Sequence, residues 1–150
     1  MYRDPVGHRI KTLNNLMKRS MDRFFGHRPD KATLMHIWIA GFLQDREEHG
    51  LETFPKDIEK EFSINRSTTS EMLKLMCTKG IIQRVSVSHD ARLKKIVLTD
   101  EGRKMNARIE TQMKNIHDIL VETLSQEEVD EFIRIADRLI DNVKKNLDQG

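Results

Sequence analysis

Asn65-Arg66-Ser67-Thr68-Thr69-Ser70 places five short hydrogen-bonding side chains and one long cation in consecutive positions of a 150-residue chain. Asn65 suits a helix N-cap, its side-chain oxygen accepting a backbone N–H near Ser67 or Thr68. The run would then circle the first turns of a helix, where a recognition helix meets base edges. Packing alone gives little reason for such a composition, because Ser and Thr are poor helix formers and exposed helix positions are usually Glu, Lys, Gln or Ala. Lys74 follows on the same helix. A second group, His89-Asp90-Ala91-Arg92 with Lys94, lies in a polar stretch between two β-patterned segments. On a protruding hairpin the Arg92 guanidinium gains by entering a narrow minor groove, where negative potential is concentrated. Against Asp90 alone at a surface it would form only a weak pair. Arg84, ending the preceding apolar run, has two open readings: a phosphate contact or a solvated charge.

Other chemistries find no support in the spacing. There is no H-E-x-x-H, no G-x-S-x-G, no phosphate-cradling glycine loop and no Cys/His pair, so neither an enzyme nor a cofactor is expected. The six histidines, His8, His27, His36, His49, His89 and His117, include no i, i+4 ligand pair, and no metal site is expected. Cys77 is the single cysteine, so it makes no intrachain disulfide. It falls beside Leu73 and Met76, which reads as an inert, partly buried thiol.

Composition agrees with a helical, soluble protein with long exposed charged faces: 37% hydrophobic, 33% charged and only 5% aromatic residues. The net charge of +2 conceals a strong asymmetry. Between Asn65 and Lys95 seven cations face only Glu71 and Asp90, leaving +5; between Ser125 and Asp148 seven acids face four cations, leaving −3. A polyanion is drawn to the middle of the chain and repelled by its end. No apolar run reaches the roughly 18 residues of a membrane span, and the N-terminus lacks a signal peptide's apolar stretch, so the expected location is cytoplasmic.

The elements that would position these groups follow from periodicity. Ile10, Leu13, Leu16, Met17, Met21, Phe24 and Phe25 recur at helical spacing, closing at Gly26 before Pro29. Thr33 suits the cap of a second helix carrying Leu34, Ile37, Trp38, Phe42 and Leu43, followed by a charged loop from Asp45 to Gly50. Pro55 suits the first turn of a short helix with Ile58 and Phe62 on its buried face. Asn65 then opens the next helix, which Gly80 stops, and two short helices across a tight turn read as a helix-turn-helix. Beyond Gly80 the period changes. Ile81, Ile82, Val85 and Val87, the polar stretch 88–92, and Ile96, Val97 and Leu98 read as a β-hairpin. Thr99 or Asp100 caps a long helix carrying Met105, Ile109, Met113, Ile116 and Leu120. Ser125 and Glu128 form a capping box for a last helix whose apolar face runs from Val129 through Phe132, Ile133, Leu139, Ile140 and Val143 to Leu147. The fold class is therefore mainly α with a small β-hairpin wing.

Asn65 to Ser70, Lys79-Gly80-Ile81-Ile82-Gln83-Arg84, and Asp90-Ala91-Arg92 leading to Val97-Leu98-Thr99-Asp100-Glu101-Gly102 together resemble the MarR-type transcriptional regulators. The likeness extends over nearly the whole chain in the number and order of helices. It implies one MarR-like domain: dimerisation helices in 1–30 and 101–150 around a winged helix-turn-helix lobe in 31–100. It further implies a homodimer on a pseudo-palindromic operator in double-stranded DNA, most simply as a repressor. By the resemblance, Arg66 through Ser70 with Lys74 would enter the major groove and Arg92 the minor groove, Asp90 would orient the wing, and Arg84 would reach or brace the backbone. The family's habit also implies a small-molecule effector, and Leu34, Met35, Trp38, Phe42 and Met105 are the candidate pocket, with core packing as the alternative role. Two positions depart from the pattern, Glu59 where a small Ala is usual and Thr69 where an apolar residue is common. The alternatives to a DNA-binding regulator are a winged-helix protein–protein interaction module and a metal-responsive regulator.

Overall fold

A computed structural model describes residues 3–25 and 34–150. Its elements are α1 (Pro5–Phe25), α2 (Leu34–Glu48), α3 (Pro55–Phe62), α4 (Arg66–Thr78), β1 (Ile82–Val87), β2 (Asp90–Leu98), α5 (Asp100–Leu120) and α6 (Gln126–Asp148). The chain divides into two units, residues 1–113 and 114–150. The expected helix stop at Gly26 and the cap at Thr33 lie outside the described residues.

In the first unit α1 opens at Asp4, whose carboxylate accepts the Val6 and Gly7 N–H groups at 3.0 and 2.8 Å. The core is built by α2, α3, α4, the hairpin and the start of α5. Ile39, Leu43, Ile58, Leu73, Met76, Ile82, Ile96 and Met105 form one buried cluster. α2 and α4 each end for a local reason. Gly50 and Gly80 have φ of +70° and +74°, which glycine adopts without a Cβ penalty. After α2, Gly50 N–H bonds to Glu47 O and Leu51 N–H to Arg46 O; after α4, Gly80 N–H bonds to Cys77 O and Ile81 N–H to Met76 O. Both ends are Schellman motifs that satisfy the last carbonyls. The charged segment expected to form a loop from Asp45 is thus helical to Glu48. Arg46, Glu47 and Glu48 are sound helix formers, and two of them make tertiary contacts that favour the extra turn.

β1 and β2 pair antiparallel, with Ile82 opposite Leu98 and Ser86 opposite Lys94, and then shift so that Val87 faces Asp90. Ala91, Arg92 and Leu93 are therefore bulged out of the ladder, and the connection is only Ser88-His89. This narrows the expected polar tip, since Asp90 already belongs to the strand. The Thr-x-x-Gly signature at the start of α5 is a join between that helix and the hairpin. Thr99 N–H donates to Ile81 O at 3.1 Å, the Thr99 hydroxyl donates to the carbonyl of Gly80, and Gly102 N–H returns a bond to Thr99 Oγ1 at 3.0 Å. A Cβ on Gly102 would lie 2.3 Å from Ile81 O, so only glycine allows this approach.

In the second unit, Ser125 Oγ accepts Glu128 N–H at 3.1 Å and Glu128 Oε1 accepts Ser125 N–H at 3.0 Å, the expected capping box. α6 contains no buried residue. Its apolar side chains remain in water, from Leu139 at 38% exposure to Leu147 at 71%.

Candidate nucleic-acid interface

Asn65 caps α4 with extended backbone, and its Oδ1 accepts Thr68 N–H at 2.8 Å. Helical periodicity then sorts the following residues. Thr69, Leu73 and Met76 point into the core, while Arg66, Ser67, Ser70, Glu71 and Lys74 are exposed and Thr68 is half-buried. One face anchors and the opposite face offers a cation, two hydroxyls, a carboxylate and a second cation. Thr69 must be withdrawn from the DNA-facing set. It is 1% exposed, and its hydroxyl is spent on the carbonyl of Asn65 at 2.9 Å. Thr69 occupies the position where an apolar residue was anticipated, and the bond to its own helix lets a polar side chain fill it. Glu71, in contrast, shares the exposed face and escaped the sequence reading because its charge opposes the basic surroundings. A carboxylate there can accept from the amino group of cytosine.

The turn before α4 holds Ser63 in the left-handed region at φ 52°, with Ile64 N–H returning to Glu59 O at 3.1 Å. Glu59 is half-buried, and its backbone carbonyl belongs to this turn.

In the wing, Asp90 Oδ1 accepts Arg92 N–H at 2.9 Å and lies 3.9 Å from Arg92 Nε. This short Asx loop shapes the bulge. Arg92's side chain is 97% exposed, so it is free to meet an outside partner. His89 is at the turn, Lys94 stands opposite Ser86, and Arg84 stands opposite Ile96; all three cations or potential cations are exposed.

The five candidate pocket residues are separated by burial. Met105 belongs to the core, Met35 and Phe42 pack against it, Leu34 is buried, and Trp38 is 39% exposed. Phe42 makes an edge contact with Phe62 at 5.6 Å between ring centroids. An open cavity of about 630 Å³ is lined instead by residues including Glu47, Gln83, Lys95, Thr99 and Arg103. Among the described residues no three His, Cys, Asp or Glu side chains stand together as metal ligands. His36 is 3% exposed, and its pKa is held below the ordinary imidazole value, first by burial and then by the charge of Lys79. Cys77 is half-buried against the core. Among the described residues no helix is long and apolar enough to cross a membrane.

Residues 33–93 match the model of the MarR family. A search of curated proteins yields no match. Among solved structures, the transcription regulator MarR from Oenococcus oeni PSU-1 is similar at 27% identity and a TM-score of 0.74, covering 91% of this chain and 98% of that one. The MepR–DNA complex of S. aureus is 22% identical with a TM-score of 0.78, covering 93% and 99%. PcaV from Streptomyces coelicolor, in complex with its natural ligand, is 19% identical with a TM-score of 0.76, covering 94% and 97%.

Proposed function

We propose that the chain, which matches the MarR family model over residues 33–93 and shares the fold of solved MarR-type regulators, is a sequence-specific, DNA-binding transcriptional regulator that acts as a homodimer. In this reading α4 enters the major groove with Arg66, Ser67, Thr68, Ser70 and Lys74, capped by Asn65, while Arg92 enters the minor groove. Asp90 shapes the wing, and Arg84, His89 and Lys94 lie along the phosphate backbone. The carrying observation is the two-faced α4, whose core side buries Thr69, Leu73 and Met76 and whose outer side keeps its cations and hydroxyls in water. The +5 charge of the surrounding segment supplies long-range attraction. The dimerisation helices are α1, α6 and the far part of α5, within 1–30 and 101–150, and the DNA-binding lobe lies within 31–100. Repression, with release by a small-molecule signal, is the form of regulation proposed, and no enzymatic activity is assigned. The solved relatives bound to DNA and to a natural ligand are the precedents for both halves of this reading.

The test is binding to a duplex selected by the protein from random sequences, titrated with salt. Log affinity is expected to fall linearly with log salt, with a slope of about 0.9 per phosphate contacted. Arg92→Ala is expected to lose about 1–3 kcal/mol of affinity while sedimenting as the wild type does. A flat salt response would overturn the DNA reading, and unchanged affinity in the variant would overturn the wing assignment.

A further inference from the structure

The last turn of α2 carries two consecutive charged residues, Arg46 and Glu47, that both reach the root of the wing. Arg46 donates from Nε to the Thr53 hydroxyl at 2.8 Å and from Nη2 to Glu52 O at 2.7 Å. The same Nη2 lies 3.8 Å from Asp57 Oδ2, and the guanidinium sits 5.5 Å from the Phe42 ring centroid. Thr53 is 2% exposed, and its carbonyl accepts Ile96 N–H of β2 at 2.7 Å. Glu52 also pairs with Lys95 at 3.5 Å. Beside Arg46, Glu47 Oε1 accepts Leu98 N–H at 3.1 Å and Oε2 pairs with Arg103, which donates to Leu98 O at 2.9 Å. The base of β2 is thus held at Ile96 and at Leu98 by bonds that begin on the last turn of α2.

A two-stranded hairpin is marginal by itself, so its direction is decided by what grips its root. We propose that Arg46 is a positioning residue for DNA binding: by fixing the connector 51–54 against β2, it sets how the wing presents Arg92. This rests on the proposed DNA-binding function. Arg46 acts at a distance through Thr53 and Ile96, and its planar fork serves the hydroxyl and the carbonyl at once, which a lysine ammonium on a flexible stem does not reproduce.

The experiment is a double-mutant cycle on the full-length protein, using a duplex selected from random sequences by the wild type. Arg92→Ala and Arg46→Ala are each expected to weaken binding about tenfold, and the double variant is expected to be no more than about twofold weaker than either. Independent sites would instead multiply to about a hundredfold, and that result overturns the inference. Arg46→Lys should behave as Arg46→Ala, and full rescue by lysine would also overturn it. Thr53→Val removes only the accepting hydroxyl and runs through the same cycle, deciding the question if Arg46→Ala does not fold. Without DNA, amide exchange at Ile96 should accelerate in both variants, and unchanged exchange counts against the inference. A wild type that selects no duplex overturns the DNA-binding function, whereas selection with an additive cycle overturns only the role of Arg46.

Discussion

Thr69 and His36 show how a side chain's neighbours override its type. Thr69 lies within a run of hydroxyls and amides, yet shares its helical phase with Leu73 and Met76 and is buried with them. Residue types alone gave no way to separate it from Thr68 or Ser70; the phase fixed by the Asn65 cap does. Asn65 O also accepts the Thr69 N–H at 3.0 Å, so loss of the hydroxyl leaves that carbonyl satisfied. Thr69→Val should therefore change stability by less than about 1 kcal/mol and leave DNA affinity intact; a severalfold loss of affinity would return Thr69 to the interface. His36 carries a pH signature. Burial and Lys79 depress its folded pKa below the ordinary 6.5, so the unfolded chain takes up the proton first as pH falls. Its contribution to stability is complete above 6.5 and declines as pH drops toward the folded pKa. Denaturant midpoints taken about one unit either side of the ordinary value should differ more in the wild type than in His36→Gln. Equal differences would contradict the assignment.

At the level of elements, the pattern of apolar residues was sufficient for the order of helices and hairpin, because each helix has a clear stop or cap. Asn65, Gly80, Thr99 and Ser125 carried that information locally. What lay beyond reach was tertiary. The charged end of α2 looked like a loop because nothing in the segment from Asp45 to Glu48 announces that Arg46 and Glu47 are committed to Thr53 and Leu98. The bulge that displaces Arg92 from the ladder likewise depends on a register shift, which a polar stretch does not encode. Gly102 illustrates the strength of such contacts. Alanine is preferred over glycine in a helix by about 1 kcal/mol, but its Cβ would meet the Ile81 carbonyl at 2.3 Å. Gly102→Ala should thus cost about 1–3 kcal/mol, read as a lower melting temperature. A rise would mean that α5 and the hairpin are not joined this tightly.

For the whole molecule, the outstanding quantity is apolar surface. Phe132, Ile133, Ile140 and Val143 of α6 are each about half exposed, and Val6, Ile10 and Leu16 of α1 are similar. Burying one such side chain fully is worth roughly 1.5–3 kcal/mol, so a second copy that covers several of them gains enough to offset the entropy of association. Ile140→Glu combined with Val143→Glu should break the proposed dimer into monomers in sedimentation and abolish tight operator binding. A dimer that survives both changes would exclude α6 from the subunit contact.

In the proposed dimer, the bare face of α6 also makes abundance a variable. Where folding is completed only by a partner, stability cannot be separated from protomer concentration. The amount of competent protein then grows with the square of the number of chains while these are scarce. Operator occupancy accordingly rises more steeply than in proportion to synthesis.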